Sequence, residues 1–424
     1  MIEDVPHIKL DVKDAVGLVA NPECKQILSK INSEYLYWDK VKYLAPAGIA
    51  PDRLWNAVKF QRSVGLQTVS FGKYSFHFNI TPVMQSLLHE FDLNFGGTFS
   101  SDGIIPNKER QIYLLSSIME EAIASSQMEG ASTTRKVAKD MLRKQKSPEN
   151  KSQQMIVNNY NTIRQLVEMK NEDLTIPMLL DVHHSISEHT LDNPFDEGQM
   201  RKDDNIVVMD GISGEVAHTP PPVSELQPLM ENICEFANAA NTDVFIHPIV
   251  KGMVLHFMLA WVHPFVDGNG RTARSLVYWY MLKNGYWMTE YLSISRIIYR
   301  NKKRYERMFL YAEADGMDIT YFILYNLQVM RQAFKELKIY LARKMEEHNM
   351  LLSNGIEGLN ERQNHIMKLI KETPSLHFTA KEVAVRFSVS EKTARNDLQE
   401  LVALNYLRQV QVNKKKSAYI CVVQ

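Results

Sequence analysis

The strongest constraint on the fold is a helical spacing of apolar residues that recurs through most of the chain between residues 107 and 347. Apolar side chains return there every three or four positions, which places them on one face of a helix. The segments with this spacing are 108–128, 133–145, 151–170, 175–188, 223–240, 247–262, 270–284 and 318–346. Each apolar face must pack against another element to leave water. The sequence therefore predicts a mainly α protein with an all-α central domain.

Composition excludes several classes of protein. Hydrophobic residues at 45% and charged residues at 23% are typical of a folded globular chain. The 49 basic and 49 acidic side chains leave no overall field to attract nucleic acid or a membrane. Three scattered cysteines, Cys24, Cys234 and Cys421, argue against a disulfide framework. We find neither a secretory leader nor about 20 consecutive apolar residues, so we expect a cytoplasmic protein with no membrane partner.

The rest of the sequence divides around the central helices 107–347. Residues 1–106 form an N-terminal extension, in which alternation over 68–78 predicts a hairpin beside helices. This small α+β unit has no role that the sequence assigns. The polar, glycine-containing segment 348–358 is predicted to be a linker, and residues 359–424 form a further small domain.

One strand-turn-strand pattern interrupts the central helices. Residues 205–217 alternate around Asp210-Gly-Ile-Ser-Gly214 and are followed by Pro220-Pro-Pro222. This pattern predicts a lone β-hairpin in a helical domain.

The C-terminal domain has the pattern of a winged helix-turn-helix. Helical segments 361–372, 380–386 and 391–404 precede two strand-like runs, 406–412 and 417–423. Eleven Lys and Arg against six Asp and Glu over 360–424 favour DNA binding. The candidate contacts are Lys392, Arg395 and Asn396 on the third helix and Lys414, Lys415 and Lys416 in the wing. The alternative is a domain for protein contacts alone, with a homodimer as the corresponding partner.

The densest group of polar residues is His263-Pro-Phe-Val-Asp-Gly-Asn-Gly-Arg-Thr-Ala-Arg274, between two apolar helices. Pro264 disfavours helical geometry at the residue before it, so His263 should end the first helix. The helix dipole there favours a protonated ring, which predicts a good proton acceptor. Gly268 and Gly270 let the backbone approach a ligand, and their amides lead into the next helix as an anion site. The segment therefore predicts a phosphate site beside a base.

Three charged residues of this segment fit a nucleoside triphosphate. Asp267 offers the hard oxygen that Mg²⁺ prefers when it bridges phosphates. Arg271 and Arg274 put positive charge on the first helical turn, where it opposes the dipole, so phosphate binding explains them better than stability does. A plain solvated turn is the alternative. A dinucleotide-binding loop at Gly268-x-Gly270-x-x-Ala273 is discounted because a helix, and not a strand, precedes it.

The segment resembles the HxFx(D/E)GNGRxxR motif of Fic domains. The resemblance extends over about 108–310, with Gly198-Gln-Met-Arg201 before the hairpin and Pro220–Pro222 after it. Most Fic domains transfer AMP from ATP to a hydroxyl of a target protein. The resemblance implies the same activity here, with ATP as substrate, Mg²⁺ as cofactor and a target protein docked along hairpin 205–217 by strand addition.

The resemblance also implies roles for individual residues. His263 would take the proton of the target hydroxyl, and Asp267 would hold the metal. The residues implied to bind nucleotide are Gly268, Asn269, Gly270, Arg271, Arg274, Asn301 and Tyr305. The glycine-rich turn would cradle the α- and β-phosphates, Arg271 would bind β- and γ-oxygens, and Arg274 the γ-phosphate. The last two residues are candidates for the nucleoside pocket, with a structural role as the alternative.

A second resemblance lies upstream. Ser125-Ser-Gln-Met-Glu-Gly130 resembles the inhibitory motif (S/T)xxxE(G/N) found with Fic domains, and Ser125 and Glu129 share one helical face. The resemblance implies an autoinhibited enzyme. Glu129 is expected to form a bidentate pair with Arg274 and to force ATP into an unproductive pose. The alternative is that the same carboxylate orients water for removal of AMP.

The sequence leaves other functions open. His183, His184 and His189 lack the i, i+4 spacing of a metal-binding helical pair, so we expect structural roles for them. One alternative function is a DNA-binding regulator whose core only senses nucleotide. Another is a Fic enzyme that uses UTP or a phosphocholine nucleotide as donor.

Overall fold

A computed structural model describes residues 2–96, 110–211, 214–239, 245–353, 356, 358–373, 376–413 and 416–422. Helices dominate this part of the chain, as the apolar spacing predicted. None of the helices in these ranges combines the length and the hydropathy of a membrane-spanning segment. The three cysteines are free thiols.

The N-terminal segment folds onto the central helices. Its elements are α1 Val12–Ala20, α2 Pro22–Glu34, α3 Trp38–Val41, α4 Pro51–Ser63, β1 Gln67–Phe71, β2 Tyr74–Phe78 and α5 Pro82–Phe95. β1 and β2 pair antiparallel, which confirms the predicted hairpin. Phe76 packs edge-on against Trp261, with ring centroids 5.1 Å apart, and the N–H of His77 donates to the carbonyl of Met317 at 2.9 Å. The segment therefore shares one hydrophobic core with the central helices.

The central helices follow the predicted segments closely. They are α6 Arg110–Met128, α7 Arg135–Lys144, α8 Lys151–Glu168, α9 Ile176–Ser187, α10 Leu226–Asn238, α11 Pro248–Val262, α12 Asn269–Lys283, α13 Ile294–Tyr299, α14 Lys302–Ala314 and α15 Thr320–Ser353. α13 is short and α14 is rich in charged residues, so neither gave an apolar spacing. α15 extends into the predicted linker 348–358, because neither glycine nor proline occurs in it to end the helix before Gly355.

α11 and α12 form the centre of the molecule. α11 is apolar on every face and is buried nearly throughout, as expected for a helix surrounded by protein. α12 packs along α11, and α6, α8 and α9 pack around α12. The turn between the two central helices is therefore flanked by other elements, while Val266 and Asp267 within it remain exposed.

The predicted hairpin 205–217 is present but shorter than expected. β3 Val208–Met209 pairs antiparallel with β4 Val216–His218, and the register shifts between the two positions of β3. Residues 205–207 are not in a strand. The irregular pairing leaves too few backbone hydrogen bonds to extend the strands over the predicted length.

The C-terminal domain has its own hydrophobic core. Its elements are α16 Glu361–Glu372, β5 His377–Phe378, α17 Ala380–Phe387, α18 Glu391–Ala403, β6 Leu407–Asn413 and β7 Lys416–Cys421. The strands form an antiparallel sheet in the order β5-β7-β6. Three helices with a sheet and wing confirm the predicted winged helix-turn-helix.

Candidate active site

His263 ends α11 in a left-handed backbone conformation with φ of 49°. Few non-glycine residues adopt it, and those that do are often at functional sites. The ring nitrogen Nδ1 lies 3.2 Å from the carbonyl oxygen of Ala260, and a carbonyl only accepts, so Nδ1 donates. In the neutral ring Nε2 is therefore the nitrogen without a proton, which is the one that a general base uses.

The protonation of His263 differs from our prediction. Burial lowers the pKa of this imidazole from 6.5 to about 4, although the bond to Ala260 acts in the opposite direction. The prediction that the helix dipole would favour a charged ring was wrong, because removal from water outweighs the field at the helix end. The neutral ring is the form that can accept a proton near pH 7.

Arg201 fixes the backbone around His263. Its side chain is buried, and Nε donates to the carbonyl of His263 at 3.0 Å. Its backbone N–H donates to the carbonyl of Pro264 at 2.8 Å. The other guanidinium nitrogens donate to the carbonyls of Asp203 and Pro221. One buried guanidinium thus connects the turn to the segments before and after the β3–β4 hairpin.

The turn after His263 closes on itself. Oδ1 of Asn269 accepts from the N–H of Phe265 at 2.9 Å, and Nδ2 donates to the carbonyl of Phe265 at 2.8 Å. Gly268 has a φ of 84°, a conformation that favours glycine, and stands directly before α12. Because both polar atoms of the Asn269 side chain are engaged, its backbone amide is the group left for a phosphate.

His183 lies against this turn. Its ring stacks on Phe265 with centroids 3.8 Å apart. Nδ1 accepts from the N–H of Gly198 at 3.1 Å, so Nε2 carries the proton and donates to the carbonyl of Asp267 at 2.9 Å. Burial lowers the pKa of His183 to about 4, which keeps the ring neutral. Both ring nitrogens are used in supporting the turn, whereas the neighbouring His184 is exposed.

Asp267 and Arg271 lie side by side but in different environments. The Asp267 side chain is 52% exposed, with Oδ2 3.7 Å from Nη2 of Arg271. Arg271 is fully buried, and its Nη1 donates to the carbonyl of Ile186 at 3.1 Å. Its Nε and Nη2 have no hydrogen-bond partner within the described ranges. Burial lowers the pKa of Arg271, and its two unpaired donors suit an anion.

The end of α6 meets the first turn of α12 through Glu129. Oε1 of Glu129 accepts from Nη2 of Arg274 at 2.8 Å. Arg274 also donates from Nε to Oγ of Ser125 at 2.9 Å and from Nη2 to the carbonyl of Ser125 at 3.1 Å. Burial raises the pKa of the Glu129 carboxyl, but Arg274 and Arg271 outweigh that effect and the pKa is lowered. The pair is a single hydrogen bond and not the predicted bidentate one, and Ser125 accepts the other hydrogen bonds that Arg274 donates from Nε and Nη2.

Glu129 also lies against the backbone at Gly270. A Cβ atom at this glycine would overlap with Oε1 of Glu129. On the other side, Nζ of Lys302 donates to the carbonyl of Met128 at 2.6 Å. The end of α6 is therefore held over the N-terminus of α12 by one arginine and one lysine.

These groups surround a cavity of about 310 Å³, with the β3–β4 hairpin on one side. The predicted site residues that line it are Glu129, His263, Asn269, Gly270, Arg274 and Tyr305. Asp267, Gly268 and Arg271 belong to the adjoining turn but are not part of the lining. Asn301 is exposed, and its side chain caps α14 by accepting from the N–H of Arg304. Tyr305 contacts Nε2 of His256 through its hydroxyl at 2.9 Å.

The predicted DNA contacts lie in the C-terminal domain. Lys392, Arg395 and Asn396 are all exposed on α18. Lys416 is the first residue of β7, and Lys414 and Lys415 fall outside the described residues.

Sequence reasoning missed three supporting residues. Arg201 belongs to the Gly198–Arg201 pattern before the hairpin, but the sequence assigned it no role. For His183 the sequence predicted only an unspecified structural role. Lys302 gave no signal, since a lysine at a helix start is common on protein surfaces. Each of these residues acts on a partner distant in sequence, so spacing alone did not reveal it.

Comparison with known proteins identifies two parts of the chain. Residues 173–281 match the Fic/DOC family, and residues 362–420 match an HTH domain. Over 114 residues the chain is 32% identical to the protein adenylyltransferase Fic of Drosophila melanogaster. This aligned stretch covers 27% of this chain and 21% of that protein. The protein of the same name from Aedes aegypti is 31% identical over 117 residues, which are 28% of this chain and 21% of that protein. The chain thus spans about a fifth of the length of these curated relatives.

Solved structures show the same fold. A Fic family protein from Desulfovibrio desulfuricans G20 has a TM-score of 0.52 and 18% identity, over 82% of this chain and 98% of that chain. Fic-1 from C. elegans has a TM-score of 0.50 and 15% identity, over 80% of this chain and 90% of that chain. At these identities the likeness establishes the fold, and the family match covers the turn and both helices that flank it.

Proposed function

We propose that this chain, which carries a Fic domain at 173–281 and an HTH domain at 362–420, is a protein adenylyltransferase. It would transfer AMP from ATP to a hydroxyl side chain of a target protein. The observation that carries the proposal is that His263, Gly270 and Arg274 line one cavity beside a β-hairpin. Such a cavity combines a neutral base, an anion-binding helix start and a cation.

His263 performs the proton transfer. Nδ1 is held by Ala260, so Nε2 accepts the proton of the target hydroxyl. The hydroxyl oxygen attacks the α-phosphorus of ATP, and a new O–P bond forms. The bond from this phosphorus to the oxygen that bridges to the β-phosphate breaks, and pyrophosphate leaves. The proton remains on His263 until it is lost to solvent.

The start of α12 binds the phosphates. Its first amides and the helix dipole attract negative charge, and Arg271 has unpaired donors beside them. Arg274 would hold the γ-phosphate. Asp267 fits a magnesium site, since its carboxylate is half exposed at this turn and Mg²⁺ is commonly held by one carboxylate plus phosphates. When bound, Mg²⁺ supplies charge neutralisation on the phosphates.

The hairpin is the docking site for the target. Met209 and Val216, on its two strands, are each 51% exposed. An extended target segment adds to a short strand edge through backbone hydrogen bonds. This arrangement would present one target hydroxyl to the cavity that β3 and β4 border.

The position of Glu129 favours autoinhibition. Its carboxylate takes one donor of Arg274 and lies against Gly270, where the phosphates would bind. A negative group there repels phosphate and prevents Arg274 from holding the γ-phosphate. The wild-type enzyme is therefore expected to be nearly idle.

The test is label transfer from α-labelled ATP, with Mg²⁺, in the full-length chain. Glu129→Gly should label itself or an added target, whereas Glu129→Gly/His263→Ala should not. The same assay with γ-labelled ATP must give no label, because the γ-phosphate leaves with pyrophosphate. If the single variant stays unlabelled with ATP, adenylyl transfer is refuted, and UTP or a phosphocholine nucleotide tested in parallel would identify another donor. Loss of AMP from a labelled target on addition of wild-type protein would instead support removal of AMP.

A DNA-binding regulator is the second candidate. It is favoured by the HTH domain and by exposed Lys392 and Arg395 on α18. Binding of duplex DNA that Lys392→Ala/Arg395→Ala abolishes, together with no transfer by Glu129→Gly, would favour the regulator.

A further inference from the structure

A second cavity, of about 590 Å³, lies between α6, α7, α13 and α15. It touches α6 through Ser116, Ser117 and Glu120. Glu120 and Glu129 are nine residues apart, or about two and a half helical turns, so they lie on opposite faces of α6. The second cavity is therefore separate from the one that contains His263.

Positive charge dominates the lining of this cavity. Six of its described lining residues are cations and two are carboxylates. The cations are Arg135, Lys139, Arg143, Arg296, Arg343 and Lys344, and the carboxylates are Glu120 and Glu336. Because the chain as a whole has no net charge, this group is a local concentration and not a general property of the surface.

The two carboxylates are already engaged. Glu120 pairs with both Arg135 and Lys139, and Glu336 pairs with Arg300, which is not in the lining. Arg143 has no ion pair with any carboxylate in the described part of the chain. Burial lowers the pKa of Lys139, although its bond to Glu120 acts in the opposite direction. The positive charges of Arg135 and Arg143 lower this pKa further. An added anion would offset this mutual repulsion of cations.

The cavity also has uncharged features of a binding site. Ser116 and Ser293 belong to the lining, and Ile297 and Leu337 add apolar surface. The volume falls within the range of small-molecule sites. The concave shape favours a small ligand over the backbone of a DNA duplex.

We propose that this cavity binds a small phosphorylated molecule with at least two negative charges, at a site distinct from that of the donor nucleotide. Clustered guanidinium and ammonium groups recognise phosphate oxygens through charge-assisted hydrogen bonds. The ligand contacts the face of α6 opposite Glu129. The binding itself does not depend on the proposed transferase activity.

Calorimetry of the full-length protein with inorganic tripolyphosphate tests the proposal. Arg143→Glu should weaken the affinity by about tenfold or more, because it replaces an attraction by a repulsion. The matched control is Lys136→Glu, which makes the same charge change on the exposed side of α7 and should alter the affinity by less than about twofold. Arg143→Gln, which removes the charge without reversing it, should show an intermediate loss. Thermal unfolding of each variant establishes that the fold is intact.

Two further experiments identify which cavity binds the phosphate and which kind of molecule carries it. Arg274→Ala removes a cation of the His263 cavity, and tripolyphosphate binding should survive in this variant. Binding that Arg274→Ala abolishes and Arg143→Glu leaves unchanged would overturn the proposal, because the anion would then occupy the donor site. ATP should compete with tripolyphosphate in the Arg274→Ala protein if the ligand is a nucleotide, and failure to compete assigns an inorganic chain of phosphates. Displacement by duplex DNA would overturn the proposal in favour of a nucleic-acid surface, as would absence of binding to the wild type.

Discussion

The turn at residues 263–268 and the end of α6 meet at Gly270, but they are held in different ways. Buried groups fix the turn from several sides, through the side chains of Asn269, His183 and Arg201. The end of α6 is held by the buried Arg274 on one side and, on the other, by Lys302, whose side chain is 44% exposed. A buried, fully bonded network is rigid, whereas contacts with solvent-exposed groups open at lower cost. This difference is what the proposed autoinhibition requires, namely a preformed turn and an α6 end that can move away from it.

The largest effect should come from His263, the proposed general base. In the Glu129→Gly background, His263→Ala should lower the rate of label transfer by about 1000-fold, the size of a typical general-base contribution. Gel-based label transfer with an unchanged unfolding temperature checks this. A loss of less than about tenfold would mean that another group accepts the proton.

The next effect tests whether α6 is a removable occupant. Glu129→Gly should raise the transfer rate about 100-fold, because repositioning a reacting group has effects of that size. Glu129→Gln keeps the volume but removes the charge, so its rate should fall between those of wild type and Glu129→Gly. Equal rates for Gln and wild type would show that bulk, and not charge, excludes the phosphates.

A smaller effect is expected when the support of the turn is weakened. His183→Leu leaves the carbonyl of Asp267 and the N–H of Gly198 without their partner, which should cost about 1–3 kcal/mol in the free energy of unfolding. In the Glu129→Gly background it should also lower kcat more than it raises the KM for ATP. The exposed neighbour supplies the control, His184→Leu, and similar losses from both variants would contradict a role specific to His183.

Lys302 should have a modest effect in the opposite direction. Lys302→Met removes the hydrogen bond to Met128 that holds the end of α6, so the basal transfer rate should rise about threefold, as for one partly exposed charged contact. Lys303→Met is the control, because Lys303 is exposed. A rise with both variants would point to general loosening of α14.

The smallest effect concerns pH. The pKa of His263 is lowered to about 4, so the ring stays neutral as the pH falls through 6.5. It becomes protonated, and can then no longer accept a proton, only as the pH approaches 4. Transfer by Glu129→Gly should therefore change by less than about twofold between pH 8 and pH 5.5. A rate that halves near pH 6.5 would show that His263 titrates as an exposed imidazole.

Much of the turn was predictable because its signals are local. Pro264 and Gly268 set the end of α11 and the start of α12 within one residue, and the residues of the proposed chemistry stand close together in the motif at 263–274. Glu129 was placed beside Arg274 through the resemblance of a motif and not through spacing. The fold class followed from apolar periodicity, which depends only on the local sequence.

The properties that sequence did not predict arise from packing. The pKa of His263 depends on how completely other elements exclude water from it. The single bond from Glu129 reflects how Arg274 is shared between Glu129 and Ser125. The roles of His183 and Arg201 depend on partners that are tens of residues away, and no spacing rule relates such pairs.

Gly270 restricts how the proposed inhibition could be lost by mutation. The missing side chain that gives Glu129 its room is also what would let a phosphate reach the backbone, so a larger residue here would expel both. Substitutions that release activity should therefore be recovered on α6 or at Lys302 in a genetic selection, and never at Gly270. In the proposed autoinhibition, Glu129 and a phosphate would occupy the same space at Gly270, so only changes that displace Glu129 without filling that space can release activity.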